Sequence, residues 1–125
     1  MEVVTIYQWF YDCDAEQISS SKNLEKMVCK AITAADFKLM HSHAASYGSY
    51  LVALAVVAES HLILHAEPHK KELVAEIASC VGAERAQVAI NVVKNLVKHT
   101  RTKTFSTKHQ HHSDPFDSWP EASKS

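Results

Sequence analysis

The chain has 125 residues, is 46% hydrophobic and 22% charged, and carries a net charge of −1 with its nine histidines neutral. That length supports one hydrophobic core but not two. The balanced charge offers no basic surface for nucleic acid and no acidic solvating tail. The longest apolar run, 51–58, is too short to span a bilayer, and the N-terminus alternates instead of showing a basic region and a long apolar stretch.

In chain order, Val3 to Tyr11 is rich in β-branched and aromatic residues and reads as a strand that Asp12 and Asp14 interrupt. Residues 15–35 fit a helix, with Ile18, Leu24, Met27, Val28, Ala31 and Ile32 at three- and four-residue steps. Phe37 to Ala45 reads as a strand, followed by a turn at Tyr47-Gly48-Ser49. Leu51 to Ala58 is apolar on both faces, as expected of a central buried strand. His61 to Ala66 alternates weakly and ends at Pro68, while the spacing in 73–79 suits strand or helix equally. Glu84 to Lys98 is an amphipathic helix with Ala86, Ala89, Ile90, Val93, Leu96 and Val97 on one side. Arg101 to Lys108 alternates as a last strand, and the polar, proline-bearing stretch 109–125 reads as a flexible tail. This order predicts an α+β two-layer sandwich, a mostly antiparallel sheet with helices packed on one face, as a single domain over 1–108.

Three cysteines (Cys13, Cys29, Cys80) include no CxxC pair, and their odd number suits a reduced, cytoplasmic protein better than a disulfide framework. The histidines raise the question of a metal: His41 and His43 alternate on one strand, His61, His65 and His69 are four apart, and His109, His111 and His112 sit in the tail. Zinc centres need three or four converging ligands, and these spacings define none, so no metal is expected.

The densest chemistry lies in AESHLILHAEPHKKELVAEIASC, Ala58 to Cys80. Ser60 follows Glu59, His65 comes five residues later and Cys80 twenty later, behind an apolar strand. This run resembles the self-processing site of the prokaryotic S-adenosylmethionine decarboxylases, and the phrase Tyr11-Asp12-Cys13-Asp14 resembles the end of that family's first strand. The likeness is densest over 51–80 and diffuse over 3–108. It implies the same two-layer fold and a homodimer of two-chain units. It also implies self-cleavage between Glu59 and Ser60: the serine hydroxyl attacks the preceding carbonyl, and elimination then leaves a pyruvoyl group, the family's cofactor, in place of Ser60. Carried over residue by residue, Ser60 is the pyruvoyl precursor and Schiff-base partner of the substrate amine, His65 the processing base, and Cys80 the proton donor. The substrate is then a small amino-acid-type molecule whose α-carboxylate leaves as CO₂.

The chain departs from the family where the substrate is held. After the +5 histidine the family reads Thr-Trp-Pro-Glu, with the glutamate on the ribose hydroxyls; here the four positions are Ala66-Glu67-Pro68-His69. The upstream pattern of an aromatic, then Pro-x-Gly-x-Ser-Gly, is reduced to Ala44–Tyr50, leaving Tyr47 or Tyr50 as the aromatic platform. These replacements favour retained pyruvoyl chemistry on a changed substrate, a basic amino acid such as ornithine or arginine whose distal cation Glu67 would meet, with His69 beside it. A genuine S-adenosylmethionine decarboxylase with other nucleoside contacts, and an unprocessed, non-catalytic paralogue serving as a binding module, are the alternatives. Strand parity sets one further condition: an unbroken strand over 60–66 puts Ser60 and His65 on opposite faces, so a shared site within one chain requires a break or bulge near Ser60.

Overall fold

The computed structural model describes residues 2–58 and 60–110. Its elements are β1 (Glu2–Tyr11), α1 (Ser21–Ala34), β2 (Leu39–Tyr47), β3 (Tyr50–Val57), β4 (Ser60–Glu67), a 3-10 turn (Pro68–Lys70), β5 (Glu72–Ser79), α2 (Ala83–Leu96) and β6 (Arg101–Gln110). The strands form one six-stranded sheet in the order β2-β3-β4-β5-β1-β6, every neighbouring pair antiparallel. α1 lies over β2, β3 and β4, and α2 over β5 and β1. The expected α+β two-layer sandwich is the observed architecture.

Alternation along the strands builds the core. Leu51, Ala53, Ala55 and Val57 of β3, Leu62, Leu64 and Ala66 of β4, and Leu73, Ala75 and Ile77 of β5 point under the helices and are buried. They meet Leu24, Val28 and Ile32 of α1 and Ile90 and Val93 of α2, all with no exposed surface. Residues 73–79, ambiguous by spacing, form a strand because β5 is paired on both sides, with β4 and with β1.

Three expectations are corrected. The first helix starts at Ser21, not at 15, because Ser20 caps it by accepting the Asn23 N–H at 3.2 Å. Before it, Asp14 accepts the Glu16 N–H at 3.0 Å in a turn that still delivers Ile18 to the core. β3 is buried on one face only: Val52, Leu54 and Val56 are half-buried on the face away from the helices, which no described element covers. The last strand runs two residues past Lys108, to Gln110, so the expected tail overlaps β6, and its remainder, 111–125, lies outside the described residues.

The hairpin between β2 and β3 closes through Gly48 and Ser49, with Gly48 at φ +63, where a side chain would be strained. At the far end of α1, Arg85 of α2 donates to the carbonyl oxygens of Ala35 and Asp36 and lies 4.4 Å over the Phe37 ring. This contact ties the two helices together where the chain turns into β2.

Candidate active site

Register assigns every candidate residue of β4 to a face. Ser60, Leu62, Leu64 and Ala66 face the helices; His61, Ile63, His65 and Glu67 face the open side. Across the open face Leu54, Ile63, Glu76, Tyr7 and Phe105 form one row, and Val52, His65, Val74, Trp9 and Lys103 the next.

Ser60 opens β4 and pairs with Ser79 at the end of β5. Its Oγ is buried and has no hydrogen-bond partner among the described residues, a condition that destabilises by roughly 1–3 kcal/mol. Ser79, fully buried, accepts the Val81 N–H on its own Oγ at 3.2 Å. Cys80, the next residue, is half-buried. Ser60 and Cys80 therefore sit at the same end of the β4–β5 pair. Glu59 lies outside the described residues.

His65 stands elsewhere. Tyr50 Oη is 2.6 Å from its Nδ1, and Glu76 Oε1 is 3.5 Å from its Nε2. The other Glu76 oxygen is 3.8 Å from His61 Nε2. Around His65 is a cavity of about 320 Å³ lined by the carboxylates Glu67, Glu72 and Glu76 and the rings of Tyr7, Trp9 and Tyr50. Burial, with the nearby Glu67 and Glu76 carboxylates, pushes the Tyr50 phenol above its usual range, so it is protonated at neutral pH. Glu67 pairs with Lys70 at 3.5 Å, and the Lys103 ammonium lies 5.6 Å over Trp9 from the β6 side.

Among the described residues of β4 the expected break is absent: the register with β5 runs from Ser60 to Glu67 and that with β3 from His61 to Ala66, both without a shift. His65 is thus on the opposite face from Ser60 and about 16 Å along the strand. Within one chain the structure brings Ser60 toward Cys80 and leaves His65 apart. Of the four residues expected to hold substrate, Glu67 and Tyr50 line the cavity with His65. His69 is exposed in the 3-10 turn and Tyr47 is exposed at the β2–β3 hairpin; neither lines it. Sequence reasoning missed Glu72, Glu76, Tyr7 and Trp9. The period-two alternation of β5 carried the signal for the two acids, since Glu72, Val74 and Glu76 share a face once that segment is read as a strand.

A wider depression, about 960 Å³, runs along α1 past Lys22, Lys26 and Lys30. It contains none of Ser60, His65 and Cys80. Among the described residues no group of three or more His, Cys, Asp or Glu side chains is placed to hold a metal ion, and no helix is long and apolar enough to cross a membrane.

Comparison with known proteins bears on all of this. The sequence profile described as S-adenosylmethionine decarboxylase matches residues 5–110. The S-adenosylmethionine decarboxylase proenzyme of Aeropyrum pernix is 25% identical over 99 residues, 78% of this chain and 76% of that protein. That of Sulfurisphaera tokodaii is 26% identical over 96 residues, 77% and 79% of the two chains. Against the Saccharolobus islandicus proenzyme the identity is 25% over 75 residues, and the matched segment spans only 62% of that relative's length. The crystal structure of the adenosylmethionine decarboxylase from Aquifex aeolicus superposes with a TM-score of 0.78 at 16% identity, covering 84% of this chain and 88% of that one. It shares the fold. With the profile matched from β1 to the last residue of β6, the chain belongs to the S-adenosylmethionine decarboxylase family.

Proposed function

We propose that this protein is a self-processing, pyruvoyl-dependent α-decarboxylase that acts in polyamine synthesis on a basic amino acid, ornithine or arginine. The observation that carries the reading is the Ser60 hydroxyl, buried with no partner among the described residues at the first position of β4, one residue after Glu59 and beside the turn that holds Cys80. An unpaired buried hydroxyl is a structural liability, and a nucleophile awaiting its reaction gives it a purpose.

The step balances within the chain. Ser60 Oγ bonds to the Glu59 carbonyl carbon as that carbon's bond to the Ser60 nitrogen breaks, and the nitrogen takes the hydroxyl proton. Loss of the Ser60 Cα proton then expels the Glu59 carboxylate, and water replaces nitrogen, released as ammonia, to leave a ketone at position 60. The residues fit that group: the serine is present, and a half-buried thiol lies at the same strand end. Once formed, the pyruvoyl group supplies a carbonyl that draws electrons from the breaking bond between the substrate Cα and its carboxylate. Cys80 returns a proton to the substrate Cα.

For the substrate, Glu67, Glu72 and Glu76 with Tyr7, Trp9 and Tyr50 form an acidic, aromatic cavity suited to a distal ammonium or guanidinium. The position of the family's ribose-binding glutamate is His69, outside that cavity. A second reading, decarboxylation of S-adenosylmethionine, is supported by the names of the relatives and by the same rings, which would accept an adenine face or a sulfonium. CO₂ release from ornithine, arginine and S-adenosylmethionine, measured in parallel, tests the choice: turnover of the last alone overturns the basic-amino-acid reading. Intact mass tests the enzyme itself, because a wild-type chain that never splits is a non-catalytic module.

The same reading extends to the assembly. Ser60 and His65 do not meet in one chain; in this reading two chains pack their open sheet faces together as a homodimer in the cytoplasm, and Ser60, which faces the helices at the first position of β4, turns toward that interface to meet the partner's His65. The half-buried Val52, Leu54, Val56, Ile63 and Val74 give that face its apolar centre.

A further inference from the structure

His65 is held from both edges of its ring, and the two partners are chemically unlike. A carboxylate accepts hydrogen bonds and does not donate them, so the Glu76 contact at 3.5 Å favours a proton on Nε2. That separation exceeds a full hydrogen bond, and the carboxylate acts there mainly through charge. Tyr50 Oη at 2.6 Å from Nδ1 completes the pair. In a neutral ring protonated at Nε2, Nδ1 carries a lone pair and the phenol is the donor. β5 fixes this arrangement: Glu76 pairs with Ile63, so it lies diagonally between His61 and His65 on the adjoining strand and reaches both. Raised by burial, the Tyr50 phenol stays protonated and available as that donor.

We propose that Glu76 and Tyr50 are positioning residues that hold His65 with its proton on Nε2 and its basic lone pair on Nδ1. Any proton His65 collects then arrives at Nδ1, directly or through Tyr50, whose hydroxyl passes its own proton to Nδ1 as it accepts another. No oxidant or co-reactant is needed. The use of that proton rests on the decarboxylase reading; the state of the ring does not. The two are therefore tested apart.

The ring is read in the full-length Ser60→Ala chain, which by this scheme cannot split, from its ¹⁵N chemical shifts, assigned by their loss in Ser60→Ala/His65→Gln. The parent should show the Nε2–H tautomer. Adding Glu76→Ala should raise the Nδ1–H share of the ring, and Glu76→Gln provides a size-matched check against misfolding. Adding Tyr50→Phe should shift the Nδ1 resonance by removing its donor. In the otherwise wild-type chain, Tyr50→Phe should slow self-cleavage by on the order of 10²-fold, as expected when a proton-transfer partner is lost. An Nδ1–H ring in the parent, or a tautomer ratio unchanged by both substitutions, overturns the proposal. Absence of cleavage and CO₂ release in the wild type would overturn the enzyme reading while leaving the tautomer result standing.

Discussion

At the residue scale, two cysteines separate structure from chemistry. Cys13 is buried, donates to the Phe10 carbonyl at 3.4 Å, and is pushed by burial up to about 11, with Asp12 adding to the effect. It is a neutral packing group across the physiological range. Cys80 is half-buried beside the Ser60–Ser79 pair. This contrast sets paired predictions. Ser60→Ala should give one uncut chain with no decarboxylase activity by intact mass and CO₂ assay; two fragments from it would remove Ser60 from the scheme. Cys80→Ala should still split but release CO₂ on the order of 10²-fold more slowly, because a positioned proton donor contributes about that much. Unaltered turnover would dismiss the thiol. Ser60, His65 and Cys80 were singled out in the sequence because their offsets resemble a known motif, and the structure puts Ser60 and Cys80 at one strand end with His65 apart. Glu76 was not, since its contact with His65 exists only across a strand pair that linear spacing leaves undefined.

Elements explain how a chain cut as proposed would hold together. Cutting before Ser60 assigns β1, α1, β2 and β3 to one fragment and β4, β5, α2 and β6 to the other. The sheet order interleaves them: β3 pairs with β4, and β1 lies between β5 and β6. The first fragment therefore shares three strand–strand boundaries with the second, and separation would expose the buried faces of all of them. Strand and helix types were mostly readable from periodicity, and the misses have local causes. Asp14 and Ser20 impose turn and cap geometry on residues whose apolar spacing already looked helical. The cap is testable. Ser20→Ala in the uncut Ser60→Ala background, where one chain unfolds as a unit, should lower stability by about 1 kcal/mol, read as a lower urea midpoint at unchanged slope. An unchanged midpoint would mean that solvent replaces the cap at Asn23 without loss.

For the whole molecule, the open sheet face is the feature that the sequence described only in part. Apolar residues on both sides of β3 led to the expectation of a strand buried on both faces. One chain covers one of them, because α1 and α2 lie on the same side, and strand patterning cannot tell whether the second cover comes from the same chain. The uninterrupted register of β4 points to the same conclusion from the chemistry, since it holds His65 about 16 Å from Ser60 on the wrong face. The proposed second copy, docked sheet to sheet, would cover the apolar centre and bring an imidazole to the same interface, toward which Ser60 would have to turn from the helix side. Co-expression of Ser60→Ala and His65→Gln chains measures this directly. Each alone should remain whole, whereas in mixed dimers the His65→Gln chain keeps its nucleophile and meets an intact imidazole from its partner. Mass spectrometry should then find fragments bearing the His65→Gln substitution and none from the Ser60→Ala chain. If the mixture stays uncut under conditions where the wild type splits, the histidine acts within its own chain, and β4 must then open near Ser60 before the bond can break.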